Sequence, residues 1–330
     1  MYPEKKIAIW VLLWSSLFIF TFSAASTSDH CDPRIRPDRR TLRSDQLTVL
    51  INGYSESRIN LLRPIVAAYS TSPIVASVLI LWGNPKTSAE TLAQLSKNLT
   101  ASFYGASPIS IIPHSTESLN NRFLPRPSFI TTRAVLICDD DIEIDTKSFE
   151  FAFKIWSSQQ NSLVGFFARS HDLDLTHKTW IYTVHPDKYS IMLTKFMIMK
   201  TEYLYKYSCE GGEAMREMRE VVERMGNCED ILMNLVVAET TKKGPVLVGA
   251  EKARDWGDAR NEEGGKGERE VGLSSRRGEH RKRRGECIRE FHRVWGKMPL
   301  VYSYGKIVSG VGEQGLCIKG GNLVFCDHQI

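Results

Sequence analysis

The stretch Ala134-Val135-Leu136-Ile137-Cys138-Asp139-Asp140-Asp141 decides the reading of this chain, because five apolar residues run straight into three carboxylates. A short apolar run bounded by charge predicts a strand buried on both faces. Three aspartates at its C-terminal end concentrate negative charge where open α/β sheets bind their ligands. Like charges this close need compensation. Mg²⁺ or Mn²⁺ supplies it, taking oxygen ligands from one or two carboxylates, water and substrate phosphates. A bare aspartate triplet is more often a solvated acidic turn, but the strand before it and the amphipathic stretch 149–156 after it favour a metal–diphosphate site.

Upstream, segments 47–51, 74–82 and 109–112 read as strands, and 88–97 and 59–69, interrupted near Pro64, read as helices. Segment 119–123 is short and polar. Strand, helix, strand is the opening of a parallel sheet. No GxGxxG and no GxxxxGK[ST] occurs, which argues against a dinucleotide dehydrogenase or a P-loop enzyme. Downstream, 162–168, 180–184 and 191–199 read as strands, the last as a candidate antiparallel edge. Helices are expected at 213–225, 230–239 and 288–295, with short strands at 246–248 and 300–304. No Pro- or Gly-rich linker divides the chain, so a single α/β domain over 46–310 is expected, its second half supplying an acceptor site. Segment 251–285 is rich in Gly, Glu, Arg and Lys without apolar periodicity, and reads as a long flexible substrate loop. Residues 311–330 read as a C-terminal tail.

A composition of 42% hydrophobic and 25% charged residues over 330 residues excludes a disordered chain. Lys5-Lys6 precede the nearly uninterrupted apolar stretch 7–25, and about nineteen residues at helical rise can just cross a bilayer. Flanking lysines favour a cytoplasmic tail, 1–6, with the rest translocated. A cleaved signal peptide is the competing reading, since Ala24-Ala25-Ser26 offers small residues for processing. The polar segment 26–45 reads as a stem. Seven cysteines suit an oxidising compartment. Cys138 lies in the expected buried strand, which leaves six able to pair in combinations the sequence leaves open. Asn98-Leu99-Thr100 is a glycosylation acceptor if the chain is lumenal. The basic run His280-Arg281-Lys282-Arg283-Arg284 is not expected to meet nucleic acid in a lumenal chain; beside a diphosphate, guanidiniums have a simpler use.

Three blocks in order carry a resemblance. Leu136-Ile137-Cys138-Asp139-Asp140-Asp141 with the following 149–156, then Asn227-Cys228-Glu229-Asp230-Ile231, then Arg284-Gly285-Glu286-Cys287-Ile288 resemble the motifs of exostosin-type glycosyltransferases, family 64. The short plant members with one such domain, similar to glycosylinositol phosphorylceramide mannosyltransferases, look nearest. The resemblance implies a GT-A nucleotide-diphospho-sugar transferase fold and a retaining, metal-dependent enzyme, anchored in the Golgi membrane with its catalytic domain lumenal. It implies a nucleotide-sugar donor, a glycolipid or glycan acceptor, and Mn²⁺ or Mg²⁺ on Asp141. Asp139 and Asp140 would face the ribose and sugar, Arg58, Asn84 and Arg122 the nucleotide, and Arg284 the diphosphate. Asp230 would be the catalytic carboxylate, His280 would contact donor or acceptor, and Cys228 would pair with Cys287.

Glu229 departs from the family by standing where a first aspartate is usual. Animal members also carry an asparagine near the nucleotide about where Glu117 or Ser118 stands here. The resemblance to the plant members makes GDP-mannose the expected donor, with UDP-N-acetylhexosamine as the alternative. From other classes, a metal-dependent phosphohydrolase would ignore an added acceptor, and an anchored sugar-nucleotide or glycan-binding protein would turn over no donor.

Overall fold

Most of the decisive stretch lies in a strand, Thr132–Asp139, which sits in the sheet between the parallel strand Arg43–Gly53 and the antiparallel strand Phe196–Lys200. The computed structural model describes residues 30–102, 107–258, 277–309 and 316–325. The segments read as tail (1–6) and anchor (7–25) fall outside these, as does Cys326. Among the described residues no helix is long and apolar enough to cross a membrane.

In chain order the first half contains β1 (Arg43–Gly53), α1 (Ile59–Ser70), β2 (Val75–Trp82), α2 (Ala89–Ser102), β3 (Ile109–Pro113) and β4 (Thr132–Asp139). A 3-10 turn, Leu119–Phe123, lies between β3 and β4. The chain continues through β5 (Ile142–Ile144), α3 (Thr146–Ser158), β6 (Val164–Gly165), β7 (Ala168–Asp174), β8 (Thr179–Thr183), β9 (Ile191–Met192) and β10 (Phe196–Lys200). It ends with α4 (Glu202–Ser208), α5 (Gly212–Met225), α6 (Glu229–Thr241), β11 (Val246–Val248), β12 (Ala253–Asp255), α7 (Arg277–Trp295), β13 (Lys306–Ile307) and the hairpin β14 (Leu316–Lys319) and β15 (Asn322–Phe325).

Eight strands form one mixed sheet in the order β13-β11-β6-β10-β4-β1-β2-β3. All its pairings are parallel except those of β10, which runs antiparallel to β4 and β6. Side chains alternate across the sheet, as the period of two requires. Leu47, Val49, Ile51, Leu136 and Cys138 pack with Leu62, Leu95, Phe149 and Trp156 from α1, α2 and α3. Leu50, Val135 and Ile137 face the other way, towards Leu204, Val222, Leu232 and Phe291 from α4 to α7. With helices on both faces, the strands must be apolar throughout. Helix α6 is buried continuously from Glu229 to Ala238, so its two carboxylates begin a helix that solvent hardly reaches.

Several expectations are corrected. Residues 277–285 are not loop, because α7 starts at Arg277. The apolar stripe of α7 ends at Cys287, Ile288 and Phe291, and the next inward position is Arg284, so its helical period is masked by a buried charge. Residues 253–255 of the same segment form β12, paired with β5. Segment 191–199 is two strands rather than one, and β10 lies inside the sheet, not at its edge. Segment 162–168 contributes only β6 and the first residue of β7, and 300–304 makes only a bridge from Ser303 to Tyr189. Pro64 lies within an uninterrupted α1. Part of the expected tail forms the β14–β15 hairpin.

Candidate active site

Strand order reverses between β1 and β4: β2 and β3 follow to one side, and the antiparallel β10 begins the other. At such a switch point the loops leaving adjacent strands diverge and open a crevice. Asn52 stands opposite Asp139 in the register. Its Nδ2 donates to Cys138 O at 2.9 Å, and Asp140 N donates to Asn52 O at 3.2 Å, so the backbone leaving β4 is held against β1.

Each aspartate of the triplet meets an arginine. Arg58, at the entrance to α1, places Nη1 3.0 Å from Asp140 Oδ1 and 2.9 Å from Asp141 Oδ2. Arg122, from the 3-10 turn, places Nη1 3.0 Å from Asp139 Oδ1 and 3.1 Å from Glu229 Oε1, and donates to Thr194 Oγ1 at 3.0 Å. Glu229 adjoins Asp230, whose Oδ2 lies 2.6 Å from Arg284 Nη2. A continuous line of alternating charge thus runs from Arg58 to Arg284. Five carboxylates, Asp139, Asp140, Asp141, Glu229 and Asp230, meet three guanidiniums, an excess of two negative charges in a mostly buried place.

The electrostatics register that excess. Burial, with Asp139 adding to it and Arg58 opposing it, pushes Asp141 up to about 7. Burial likewise raises Asp140 against the pull of Arg58, and Glu229 against that of Arg122. Among the described residues no three His, Cys, Asp or Glu side chains form a ready-made metal cage. A cation here would have to draw on one or two carboxylates with water and substrate oxygens, the Mg²⁺ and Mn²⁺ habit.

The Asp230 segment is presented by a left-handed turn. Cys228 has φ 81°, unusual for a residue with a side chain. It is bonded to Cys287 of α7, and its N–H donates to Asn227 Oδ1 at 2.8 Å. The turn sets Glu229 and Asp230 in the first turn of α6, where the helix dipole favours negative charge. Arg284 donates from Nη1 to Asn227 Oδ1 at 3.0 Å, and its guanidinium lies 4.6 Å from the Tyr182 ring centroid. Burial opposes that charge, but Asp230 holds the guanidinium firmly protonated. Arg284, read as part of a loop, is a buried helix residue fastened to Asp230, while its Nε has no partner.

Of the other expected residues, His280 is half-buried one helical turn before Arg284, and burial, followed by the Arg284 charge, lowers it to about 4. Asn84 reaches the same edge of the sheet after β2, but its Oδ1 accepts from Lys86 N at 3.0 Å within its own turn. Asn98 is exposed on α2, accepting from Gln94 Nε2 at 2.7 Å. Glu117 is exposed, and Ser118 caps the 3-10 turn through Asn120 N at 3.1 Å.

The sequence did not reveal the strap after β12. Trp256 N donates to Asp141 O at 2.8 Å, its ring nitrogen to Glu143 Oε2 at 3.1 Å, and Arg254 stacks on the ring at 3.6 Å. A Cβ on Gly257 would stand 2.3 Å from Asp141 Oδ2, so any side chain there would push that carboxylate aside. Asp255 pairs with Lys195, which with Thr194 occupies the break between β9 and β10. The one available signal was a lone tryptophan in Asp255-Trp256-Gly257 within an otherwise polar stretch.

Residues 47–312 match the glycosyl transferase family 64 domain. The chain is 61% identical to the glycosyltransferase family protein 64 C3 of Arabidopsis thaliana over 323 residues, 98% of each. It is 32% identical to exostosin-1 of Drosophila melanogaster over 251 residues, 72% of this chain and 31% of that much longer protein. Among solved structures, GalNAc-T7 with UDP, GalNAc and Mn²⁺ aligns with a TM-score of 0.40 at 10% identity, covering 61% of this chain and 41% of that one, a likeness too remote to argue from.

Proposed function

We propose, from the premise that this chain belongs to glycosyl transferase family 64 and is a glycosyltransferase, that it moves mannose from GDP-mannose to a glycosylinositol phosphorylceramide with retention at the anomeric carbon. The observation that carries the transfer chemistry is the line of paired charge at the switch point, two positive charges short of balance. That deficit fits one divalent cation, Mn²⁺ or Mg²⁺, with Asp141 as its protein ligand. When bound, it supplies Lewis-acid stabilisation of the leaving diphosphate. Arg58 and Arg122, now spread over carboxylates, can turn towards diphosphate oxygens, for which a guanidinium fork is suited. Asp139 and Asp140 face ribose and sugar. Asp230, oriented by Arg284, stabilises positive charge at the anomeric carbon as the bond to the diphosphate lengthens. Arg284 is therefore a positioning residue for Asp230.

Donor and acceptor rest on the likeness to short plant members with a single domain, a reading supported by a plant family-64 relative matching almost end to end. The weaker match to exostosin-1 favours the UDP-N-acetylhexosamine alternative. The same reading makes the enzyme a type II protein of the Golgi membrane with 7–25 as its anchor, and two disulfides suit an oxidising lumen.

The test is donor consumption by a fragment beginning at Ser26, with Mn²⁺ and a panel of GDP- and UDP-sugars. GDP-mannose turnover that EDTA abolishes, with a mannosylated inositol phosphorylceramide product, is the expected result. Preference for a UDP-N-acetylhexosamine would move the substrate to the exostosin type. Turnover indifferent to acceptor would indicate a hydrolase.

A further inference from the structure

From His30 on, the segment read as a stem is fastened to the domain. At the N-terminal edge of the sheet, Arg43 N donates to Thr131 O at 2.9 Å. Traced back from there, the arm follows α4, which starts beside the N-terminal end of β4 through Thr201 N to Arg133 O at 2.9 Å. Arg39 pairs with Glu202 at 3.0 Å at the start of α4. Arg36 pairs with Glu210 at 2.9 Å just past its end and lies 4.4 Å over the Tyr205 ring. Cys31 is bonded to Cys209. Next to Cys209, Ser208 Oγ donates to Phe123 O at 2.9 Å, one residue from the Arg122 that holds Asp139. The arm therefore climbs from the N-terminal edge towards the carboxylate edge.

Its described end lies at that edge. Burial, then Arg126, then His30 at the described end of the arm lower His114, which directly follows β3, so His30 lies near that ring. His114 N donates to Trp82 O at 2.9 Å, and Trp82 stands in register with Gly53, the neighbour of Asn52 opposite Asp139. From β3 to β4 is three strand spacings, roughly 14 Å. Tyr54, an aromatic residue 49% exposed, also lies on this edge, its N–H 3.4 Å from Asp140 Oδ2. Aromatic rings with a polar tip suit a membrane interface.

We propose that the Cys31–Cys209 staple makes the chain leave its domain beside the carboxylates and holds that edge towards the bilayer, so that the acceptor is a sugar-bearing lipid of the same membrane. This rests on the reading of 7–25 as an anchor. Residues 26–30 lie between anchor and staple, and at most about 3.6 Å per residue gives them a reach of ~18 Å. An unstapled stem would add the whole arm to that reach and let the domain turn freely.

The experiment uses the full chain in liposomes that contain a glycosylinositol phosphorylceramide and a lipid with a photoreactive headgroup. Cross-links are expected near Tyr54, Lys86 and His114, and not near Ser107 or Phe129 at the opposite edge. A flexible Gly-Ser spacer of about twenty residues between Ser28 and Asp29 leaves the fold untouched; it should scatter the cross-links and lower transfer to the lipid about tenfold through loss of effective concentration. Donor hydrolysis to water should not change. Cys31→Ser with Cys209→Ser should act in the same direction. Cross-links centred on Phe129, or lipid transfer indifferent to the spacer, would overturn the proposal while leaving the glycosyltransferase reading intact. A chain that fails to float with the liposomes would overturn the anchor reading and the proposal with it.

Discussion

Asp230 and Arg284 are each almost wholly buried, so neither can be removed without leaving a charge stranded. Losing one partner of a buried pair costs about 3–5 kcal/mol. Asp230→Ala and Arg284→Ala should each lower stability by about that much in urea unfolding, and Asp230→Ala with Arg284→Met by clearly less than the sum. Loss of transfer in Asp230→Ala must therefore be read beside its stability; Asp230→Asn, which keeps an acceptor for Arg284, is the cleaner variant and should lose about 10²-fold or more in kcat. Asp141 differs, since it sits among carboxylates in excess and Arg58 retains Asp140 without it. Asp141→Ala should abolish transfer with little loss in Tm, and full activity in that variant would sink the proposed site. Gly257→Ala should turn the Asp141 carboxylate away, raising the Mn²⁺ needed for half-maximal turnover about tenfold, within the usual range for groups that orient a ligand. Glu229 shows what its extra methylene does: it reaches Arg122 at 3.1 Å and so joins the Asp230 segment to the aspartate triplet.

Helix α3 and the strap form one element of the site. Asp145 caps α3 by accepting from Ser148 N at 3.0 Å, and its other oxygen accepts from Lys252 N at 2.9 Å. Ser148 Oγ accepts from Glu251 N at 2.8 Å. One cap thus begins a helix and anchors the entry to β12. Asp145→Ala should cost about 1 kcal/mol of stability in thermal unfolding, and protease cleavage should rise around 251–257 if the strap depends on this cap. Most elements of the first half were legible, because buried parallel strands are apolar runs and the helices between them are amphipathic. The break between β9 and β10 was not. Leu193-Thr194-Lys195 sits in an apolar stretch, and only contacts to Arg122, Glu229 and Asp255, distant in sequence, reveal that these residues serve the site.

For the whole molecule, the buried His171 and the half-buried His114 add, with the His280 already described, a pH dependence to stability. Burial lowers both His114, with Arg126 and His30 adding to it, and His171, where Asp172 opposes it, to about 4. Unfolded, each would titrate near its ordinary 6.5. Below that value the unfolded chain binds more protons than the native one, so stability falls as pH drops from about 6.5 towards 4. Asp141, raised to about 7, works the other way over the same range, so the histidines' share is read by difference: Tm of His114→Gln with His171→Gln should fall less, or rise more, than that of the unaltered chain as pH drops from about 6.5 towards 4.

The sequence by itself determined the parallel opening of the sheet, the aspartates at the end of β4 and a buried Cys138 thiol, which forms no disulfide in the structure; the Asn227–Ile231 block came from the family resemblance. These are local patterns, set by side-chain period and by charge next to apolar runs. Only the tertiary structure decided that Arg284 serves Asp230, that Gly257 and Trp256 close over Asp141, that 277–285 is helix, and that residues 30–42 are stapled along α4. A charge reads as solvent-facing in a sequence unless its partner is known. Here those partners lie some fifty to nearly two hundred residues away, and folding alone brings them together.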